Sequence, residues 1–173
     1  MATANSRPTE YEPKLCPPAD LVRRARQLPR PLVLTNGVFD LLHRGHVDYL
    51  QRAKALGASL LVAVNDDDSA RRLGKGAGRP FNRCEDRMAL LAALASTDLV
   101  TCFADDNAQA IVELLRPDLY VKGGDYDVAN TPEGRAAIRL GARVAAIPFT
   151  NRISTTALVG RIRSPGADAQ GAP

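Results

Sequence analysis

Five short apolar runs recur along the chain with helical segments between them, and this alternation restricts the fold more than any other feature. The runs are 31–34, 59–65, 99–103, 118–122 and 142–148. The second, Ser59-Leu60-Leu61-Val62-Ala63-Val64-Asn65, lacks polar–apolar alternation, as expected of a strand covered on both faces. Between the runs the spacing predicts helices over 45–57, 84–97, 107–116 and 131–140, with 157–163 last and a short turn after 66–69. Such alternation predicts an α/β fold: a doubly wound, five-stranded parallel sheet with helices on both faces, joined by right-handed crossovers. Ligands of these sheets bind beyond the carboxyl ends of the strands, where strand order reverses. Residues 31–163 form this domain. Residues 1–30 read as a polar, proline-rich arm, loosely ordered to residue 17, and a short basic helix to Leu28. Residues 164–173 read as a disordered tail.

The first strand leads directly into Thr35-Asn36-Gly37-Val38-Phe39-Asp40-Leu41-Leu42-His43-Arg44-Gly45-His46. His43 and His46, the chain's only histidines, are three apart and face the same way on a first helical turn. A helix start directs free N–H groups and the positive end of its dipole forward, so the unit reads as a phosphate cradle. The plainer alternative is a capping histidine beside a half-buried one. A zinc pair is disfavoured, because helical zinc pairs use i, i+4 spacing and no third ligand lies near.

Other loops at the same sheet edge add cations and donors. Gly74-Lys75-Gly76-Ala77-Gly78-Arg79-Pro80 reads either as a mobile phosphate-gripping loop or as a plain surface loop, and it lacks the P-loop order. Lys122 ends the fourth strand, and Arg152 precedes Ser154-Thr155-Thr156 at the last helix. A cap needs one such residue, so three favour a second phosphate site. Asp66-Asp67-Asp68 reads as helix capping rather than as a metal site. A net charge of +4 suits a small anionic substrate, and an aromatic content of 5% without tryptophan offers no base-stacking platform. Cys16, Cys84 and Cys102 are widely spaced without a C-x-x-C, which fits incidental thiols in a reducing cytoplasm. No run approaches the length of a membrane span, and no leader is evident.

Asn36-Gly37-x-Phe39-Asp40-x-x-His43-x-Gly45-His46 resembles the signature of the cytidylyltransferase-type nucleotidyltransferases, a Rossmann-like fold with a His-x-Gly-His motif. With Arg79-Pro80, Glu85-x-Arg87, Lys122-Gly123-Gly124-Asp125-Tyr126 and Ser154-Thr155-Thr156, the order and spacing are similar to those of bacterial heptose 1-phosphate adenylyltransferases over about residues 32–163. The resemblance implies transfer of AMP from ATP to D-glycero-β-D-manno-heptose 1-phosphate, giving ADP-heptose and pyrophosphate for lipopolysaccharide core synthesis. It implies that His43, His46 and Lys75 are catalytic. It also implies that ATP meets Asn36, Gly37, Phe39, Asp40, His43, Gly45, His46, Lys122, Gly123, Gly124, Asp125, Ser154, Thr155 and Thr156. Lys75, Arg79, Arg87 and Arg152 are candidates for the substrate phosphate, with structure as the alternative for Arg79 and for Arg87, which lies inside a helix next to Glu85 and Asp86. Asp40 is alternatively an orienter of the His-x-Gly-His turn. Mg²⁺ is expected to arrive with ATP, held mainly by phosphate oxygens and water, with no protein metal site. A cytoplasmic homodimer acting on small molecules is expected, without nucleic acid or membrane partners and with a separate kinase upstream.

Two departures bear on the acceptor. Asn151-Arg152-Ile153 stands where many relatives carry an acidic-Gly pair, and Asp105-Asp106-Asn107-Ala108 replaces a Glu-Asp-Thr-Pro-like run. The rival readings are a cytidylyltransferase for glycerol 3-phosphate, a pantetheine-phosphate or flavin-type adenylyltransferase, and a catalytically inactive nucleotide-binding regulatory module.

Overall fold

The computed structural model describes residues 9–149, apart from 75, 77 and 126, together with 155–163. Its strands are β1 (Leu32–Gly37), β2 (Ser59–Asn65), β3 (Leu99–Phe103), β4 (Leu119–Gly123) and β5 (Arg143–Ile147). Its α-helices are α1 (Leu21–Ala25), α2 (Arg44–Lys54), α3 (Asp67–Arg72), α4 (Cys84–Ala92), α5 (Gln109–Leu115), α6 (Pro132–Arg139) and α7 (Thr155–Arg163). The strands form one sheet in the order β3-β2-β1-β4-β5, with every pairing parallel.

Side chains alternate across the pleat and divide the core into two layers. Leu32, Leu34, Leu61, Ala63, Leu99 and Tyr120 meet Leu21 and Ala25 of α1, Ile111, Val112 and Leu115 of α5, and Ala136 and Ala137 of α6. Val33, Leu60, Val62, Val64, Val100 and Val121 meet Tyr49, Leu50 and Ala53 of α2, and Leu91 and Ala92 of α4. The chain thus winds outward from β1 to β3 with helices on one face. It then returns to β4, on the other side of β1, with helices on the opposite face. The reversal lies between β1 and β4, where the carboxyl ends of neighbouring strands diverge to leave a crevice.

The opposite end of the sheet is pinned by two matching aspartates. Asp98 Oδ2, just ahead of β3, accepts from Leu60 N at 2.7 Å and from Lys54 Nζ at 2.6 Å. Asp118 Oδ2, just ahead of β4, accepts from Leu32 N at 2.6 Å and from Arg30 Nη1 at 2.8 Å. Each carboxylate satisfies a donor at or next to the start of the neighbouring strand and is itself neutralised by a cation.

Several boundaries depart from the pattern-based expectations. β1 continues through Thr35, Asn36 and Gly37, whose partners are Val62, Ala63 and Val64. The polar side chains there are supported from below. Thr35 Oγ1 lies 2.5 Å from the Tyr49 hydroxyl, which donates onward to Val121 O at 3.3 Å, and the Tyr120 hydroxyl donates to Asn36 Oδ1 at 2.6 Å. Helix α4 stops at Ala92, and α5 starts at Gln109, whose N–H donates to Asn107 Oδ1 at 3.0 Å. α5 closes on Arg116 in the left-handed conformation. Asp66 does cap α3, accepting from Ser69 N at 2.7 Å.

The arm is not loose over residues 9–17. Leu15 bridges to Val100, Cys16 N donates to Val100 O at 2.8 Å, and Cys16 is fully buried. The outer edge of β3 would otherwise present unpaired backbone groups to solvent, and this segment covers them. Arg24, on the short basic helix, donates to the carbonyls of Pro13 and Leu15 and holds the segment in place. No helix of the described residues is long and apolar enough to cross a membrane.

Candidate active site

The crevice at the sheet reversal is a cavity of about 550 Å³. Asn36 to Asp40, His43 and His46 line it from the β1–α2 connection, and Lys122 and Gly123 from the end of β4. Arg79 and Pro80 close one side, and Phe149, Thr155 and Thr156 another.

The β1–α2 turn is built around two backbone constraints. Phe39 has φ of 50°, a left-handed conformation unusual for an aromatic residue. Its ring folds back over Gly37, where an added Cβ would lie 3.0 Å from Phe39 Cε2. A side chain at residue 37 would therefore displace the ring, which is why this turn takes glycine. The ring also meets His46 edge-on, with centroids 5.5 Å apart.

His43 precedes α2 with extended backbone, and His46 follows in the first turn. Their rings stack with centroids 3.9 Å apart, as the spacing predicts. His43 N donates to His46 Nδ1 at 3.4 Å, which leaves the proton of a neutral His46 on Nε2. The His43 Nδ1 is buried without a hydrogen-bond partner among the described residues. Burial pushes the His43 imidazole below its ordinary range, because the charged form loses its hydration. Gly45 is buried within the turn and does not line the cavity.

Asp40 is hydrogen-bonded to the segment that crosses this turn. Its Oδ1 accepts from Phe81 N at 2.7 Å and Asn82 N at 3.2 Å, and its own carbonyl accepts from Asn82 Nδ2 at 2.9 Å. The carboxylate thereby straps 79–82 across the His-x-Gly-His turn. Arg79 Nε lies 3.7 Å from Asp40 Oδ2, and the guanidinium stands over the Phe81 ring at 5.4 Å. Arg79 is thus held in the cavity wall, in reach of an anion.

Arg87 has a different place from Arg79. Its side chain is fully buried, with Nε donating to Asn82 O at 3.1 Å and Nη1 to Val38 O at 2.6 Å and Asn65 O at 2.8 Å. Nη2 pairs with Asp67 Oδ1 at 2.7 Å. A guanidinium enclosed in this way has no face left for a phosphate. Of its two sequence roles, the geometry gives Arg87 the structural one: it locks the turn, the strap, β2 and α3 together.

Lys122 Nζ is 3.0 Å from Glu133 Oε1, so it enters the cavity as one half of an ion pair. Burial pushes the Glu133 carboxyl up, but backbone N–H groups and the Lys122 ammonium hold it below the usual carboxylate range. Gly123 is the site of another close approach, where an added Cβ would sit 2.8 Å from the Phe149 ring. Gly124, at φ of 111°, and Asp125 follow outside the cavity lining. Thr155 Oγ1 donates to Leu41 O at 3.4 Å and joins α7 to the same turn. Lys75, Arg152 and Ser154 lie outside the described residues. Glu133, Phe149 and Asn65 also line the cavity and were not singled out from sequence. Glu133 lay two residues after Thr131 at a predicted helix start, and Phe149 directly follows the fifth strand. Chemically, the crevice offers stacked imidazoles, a helix start, a held guanidinium and an ammonium, which is the equipment for a polyphosphate.

The cytidylyltransferase-like family model matches residues 34–161. The chain belongs to that family. Among its cytidylyltransferase-like relatives, a D-beta-D-heptose 1-phosphate adenylyltransferase of Bordetella bronchiseptica is 57% identical over 155 residues, covering 88% of this chain and 96% of that protein. The bifunctional protein HldE of Shewanella amazonensis is 53% identical over 133 residues, 77% of this chain, but the match spans only 28% of HldE. Among solved structures, a lipopolysaccharide core biosynthesis protein from Thermoplasma volcanium matches with a TM-score of 0.58 at 30% identity, over 70% of this chain and 98% of that one. Pantothenate synthetase from Thermus thermophilus matches at 0.60 but only 15% identity, over 88% of this chain and 71% of the synthetase, a likeness of fold alone.

Proposed function

We propose that this cytidylyltransferase-like domain transfers AMP from ATP to D-glycero-β-D-manno-heptose 1-phosphate, releasing pyrophosphate and ADP-heptose for lipopolysaccharide core synthesis. The observation that carries the reading is the 57% identity to a heptose 1-phosphate adenylyltransferase along nearly the full length of both chains. The stacked pair His43 and His46 at the mouth of the crevice supports it independently.

The acceptor phosphate is already anionic near neutral pH, so its oxygen can attack the α-phosphorus without a general base. The protein's task is to bring two anions together and to stabilise charge on the α-phosphoryl group and on departing pyrophosphate. In this reading Asn36 and Gly37 present backbone to the α-phosphate, and His46 Nε2–H donates to oxygens that gain charge. His43, held neutral by burial, packs against His46 and fixes its plane. Lys75 bridges the two substrates, while Ser154, Thr155 and Thr156 take the far end of the triphosphate. Lys122 reaches toward phosphate while Glu133 sets its position. Gly123 faces the nucleotide, and Arg79 and Arg152 take the acceptor phosphate.

The described residues contain no group of three His, Cys, Asp or Glu side chains able to hold a metal ion. In this reading Mg²⁺ arrives as part of the ATP complex, where it neutralises phosphate charge. The enzyme works in the cytoplasm as a homodimer on small molecules, and a sugar kinase must supply its phosphorylated acceptor.

The test is pyrophosphate release in Mg²⁺ buffer, with ATP or CTP offered against heptose 1-phosphate and glycerol 3-phosphate. Release confined to ATP with the heptose is expected. Release with CTP and glycerol 3-phosphate would overturn the substrate assignment, and silence on every pair with nucleotide still bound would leave a regulatory module.

A further inference from the structure

Two of the three thiols share one small volume at the carboxyl edge of the sheet. Val100 and Cys102 are two residues apart on β3 and so point to the same face, and the register sets Cys102 beside Val64 of β2. Val64 and Val100 belong to the layer that α4 covers. Cys84 is the first residue of α4 and packs on that same layer. Its thiol donates to Asn65 O at 3.9 Å, and Asn65 directly follows the Val64 that pairs with Cys102, so the two thiols are close enough to perturb one another. Both cysteines retain partial exposure, whereas Cys16 is wholly buried in the opposite layer. Neither Cys84 nor Cys102 lines the nucleotide crevice.

We propose that Cys84 and Cys102 form a reversible oxidation site, at which a hydroperoxide converts the two thiols into an intramolecular disulfide. Cys102 is the attacking sulfur. The neighbouring Cys84 thiol pulls the Cys102 thiol down to about 7; burial and the Asp66 carboxylate oppose this, and the Arg87 guanidinium favours the thiolate. The adjacent Cys102 sulfur and burial hold the proton on Cys84. The thiolate of Cys102 attacks one peroxide oxygen, the O–O bond breaks, and hydroxide departs and takes a proton from solvent, leaving a sulfenic acid. The sulfur of Cys84 then displaces the hydroxyl, which leaves as water with the Cys84 proton. Together the thiols lose two electrons and two protons, and one peroxide becomes two waters. A dithiol reductant reverses the step. The cross-link fastens the first residue of α4 to β3, next to the Asn65 carbonyl that also receives Arg87.

The test uses the full chain, reduced and freed of reductant, then treated with hydrogen peroxide at neutral pH. Remaining thiols are alkylated and the peptides mapped by mass spectrometry. Loss of two thiols per monomer is expected, with Cys84 and Cys102 joined in one peptide pair and Cys16 alkylated only after unfolding. In Cys84→Ser the hydroxyl keeps a donor beside Cys102 but cannot close the bond, so a dimedone-trapped sulfenic acid accumulates at Cys102. Cys84 in Cys102→Ser reacts at least about tenfold more slowly, because burial leaves it a smaller thiolate fraction. Overturning results are a cross-link between molecules, oxidation of Cys102 no faster than that of Cys84, or stepwise over-oxidation of Cys102 in the unmutated chain without a disulfide.

Discussion

Replacing Arg87 by methionine separates a residue that holds the site together from one that holds the substrate. Methionine approximates the buried stem but makes none of the four bonds of the guanidinium. Asn82 O, Val38 O and Asn65 O lose donors at 3.1, 2.6 and 2.8 Å, and Asp67 loses its cation at 2.7 Å. A lost hydrogen bond costs about 0.5–1.5 kcal/mol, a charged one about 1.5–3, and removing one partner of a buried pair about 3–5. These ranges overlap in what they count, and Asp67 keeps some access to water, which places the expected loss at about 3–5 kcal/mol. For a chain of this size that is a melting point lower by on the order of 10 °C. Urea unfolding followed by circular dichroism reads the first quantity and thermal melting the second. Arg87→Lys keeps charge without the fork and should fall between the two proteins. Stability within about 0.5 kcal/mol of the parent, the range of an ordinary surface change, would refute the argument. A large rise in the KM for the sugar phosphate alongside it would return Arg87 to the substrate.

Other perturbations test the crevice itself. His46→Ala should lower turnover on the order of 10²–10³-fold, the usual loss for one preorganised donor; a fall below tenfold with an unchanged melting point would remove His46 from the chemistry. His43 should titrate below its ordinary value of about 6.5, so its charging opposes the fold as pH falls from that value toward the native one. Proton NMR of the two imidazoles, assigned with the His46→Ala protein, checks this, and a His43 midpoint at or above the free value contradicts it. Glu133 has a native pKa below its unfolded one, so its contribution to stability is complete above about pH 4.3 and is lost as pH falls through the native value. The stability gap between parent and Glu133→Gln in urea should therefore be constant near neutrality and shrink in acid. A gap that persists unchanged to about pH 3, below the unfolded value, would show that the ionised carboxylate contributes nothing.

What could be read from sequence followed the range of the interactions involved. β2 and β3 were legible to the residue because both faces of a buried parallel strand demand unbroken apolar runs. The end of β1 was missed because Thr35 and Asn36 are polar, and their hydroxyl and amide are satisfied by Tyr49 and Tyr120 from distant elements. Leu15 and Cys16 form too short an apolar pair to announce a segment; only the bare edge of β3 explains their burial. The stacking of His43 on His46 was legible because it depends on three-residue helical spacing. The enclosure of Arg87 was not, since its carbonyl partners come from residues 38, 65 and 82 and its immediate neighbours Glu85 and Asp86 suggest a solvated face. Phe149 and Glu133 reach the crevice through sheet order, which no local pattern records.

The paired carboxylates of Asp98 and Asp118 fix strand register at the end of the sheet remote from the crevice. Alignment of the strands is therefore settled independently of the loops that meet the substrates. A library that randomises residues 105 and 106, while leaving both aspartates with Lys54 and Arg30, would vary the crevice rim at Asp106 on a frame whose register those changes do not set. Exchanging the aspartates would do the reverse, shifting every loop of the crevice at once without altering a single residue in it.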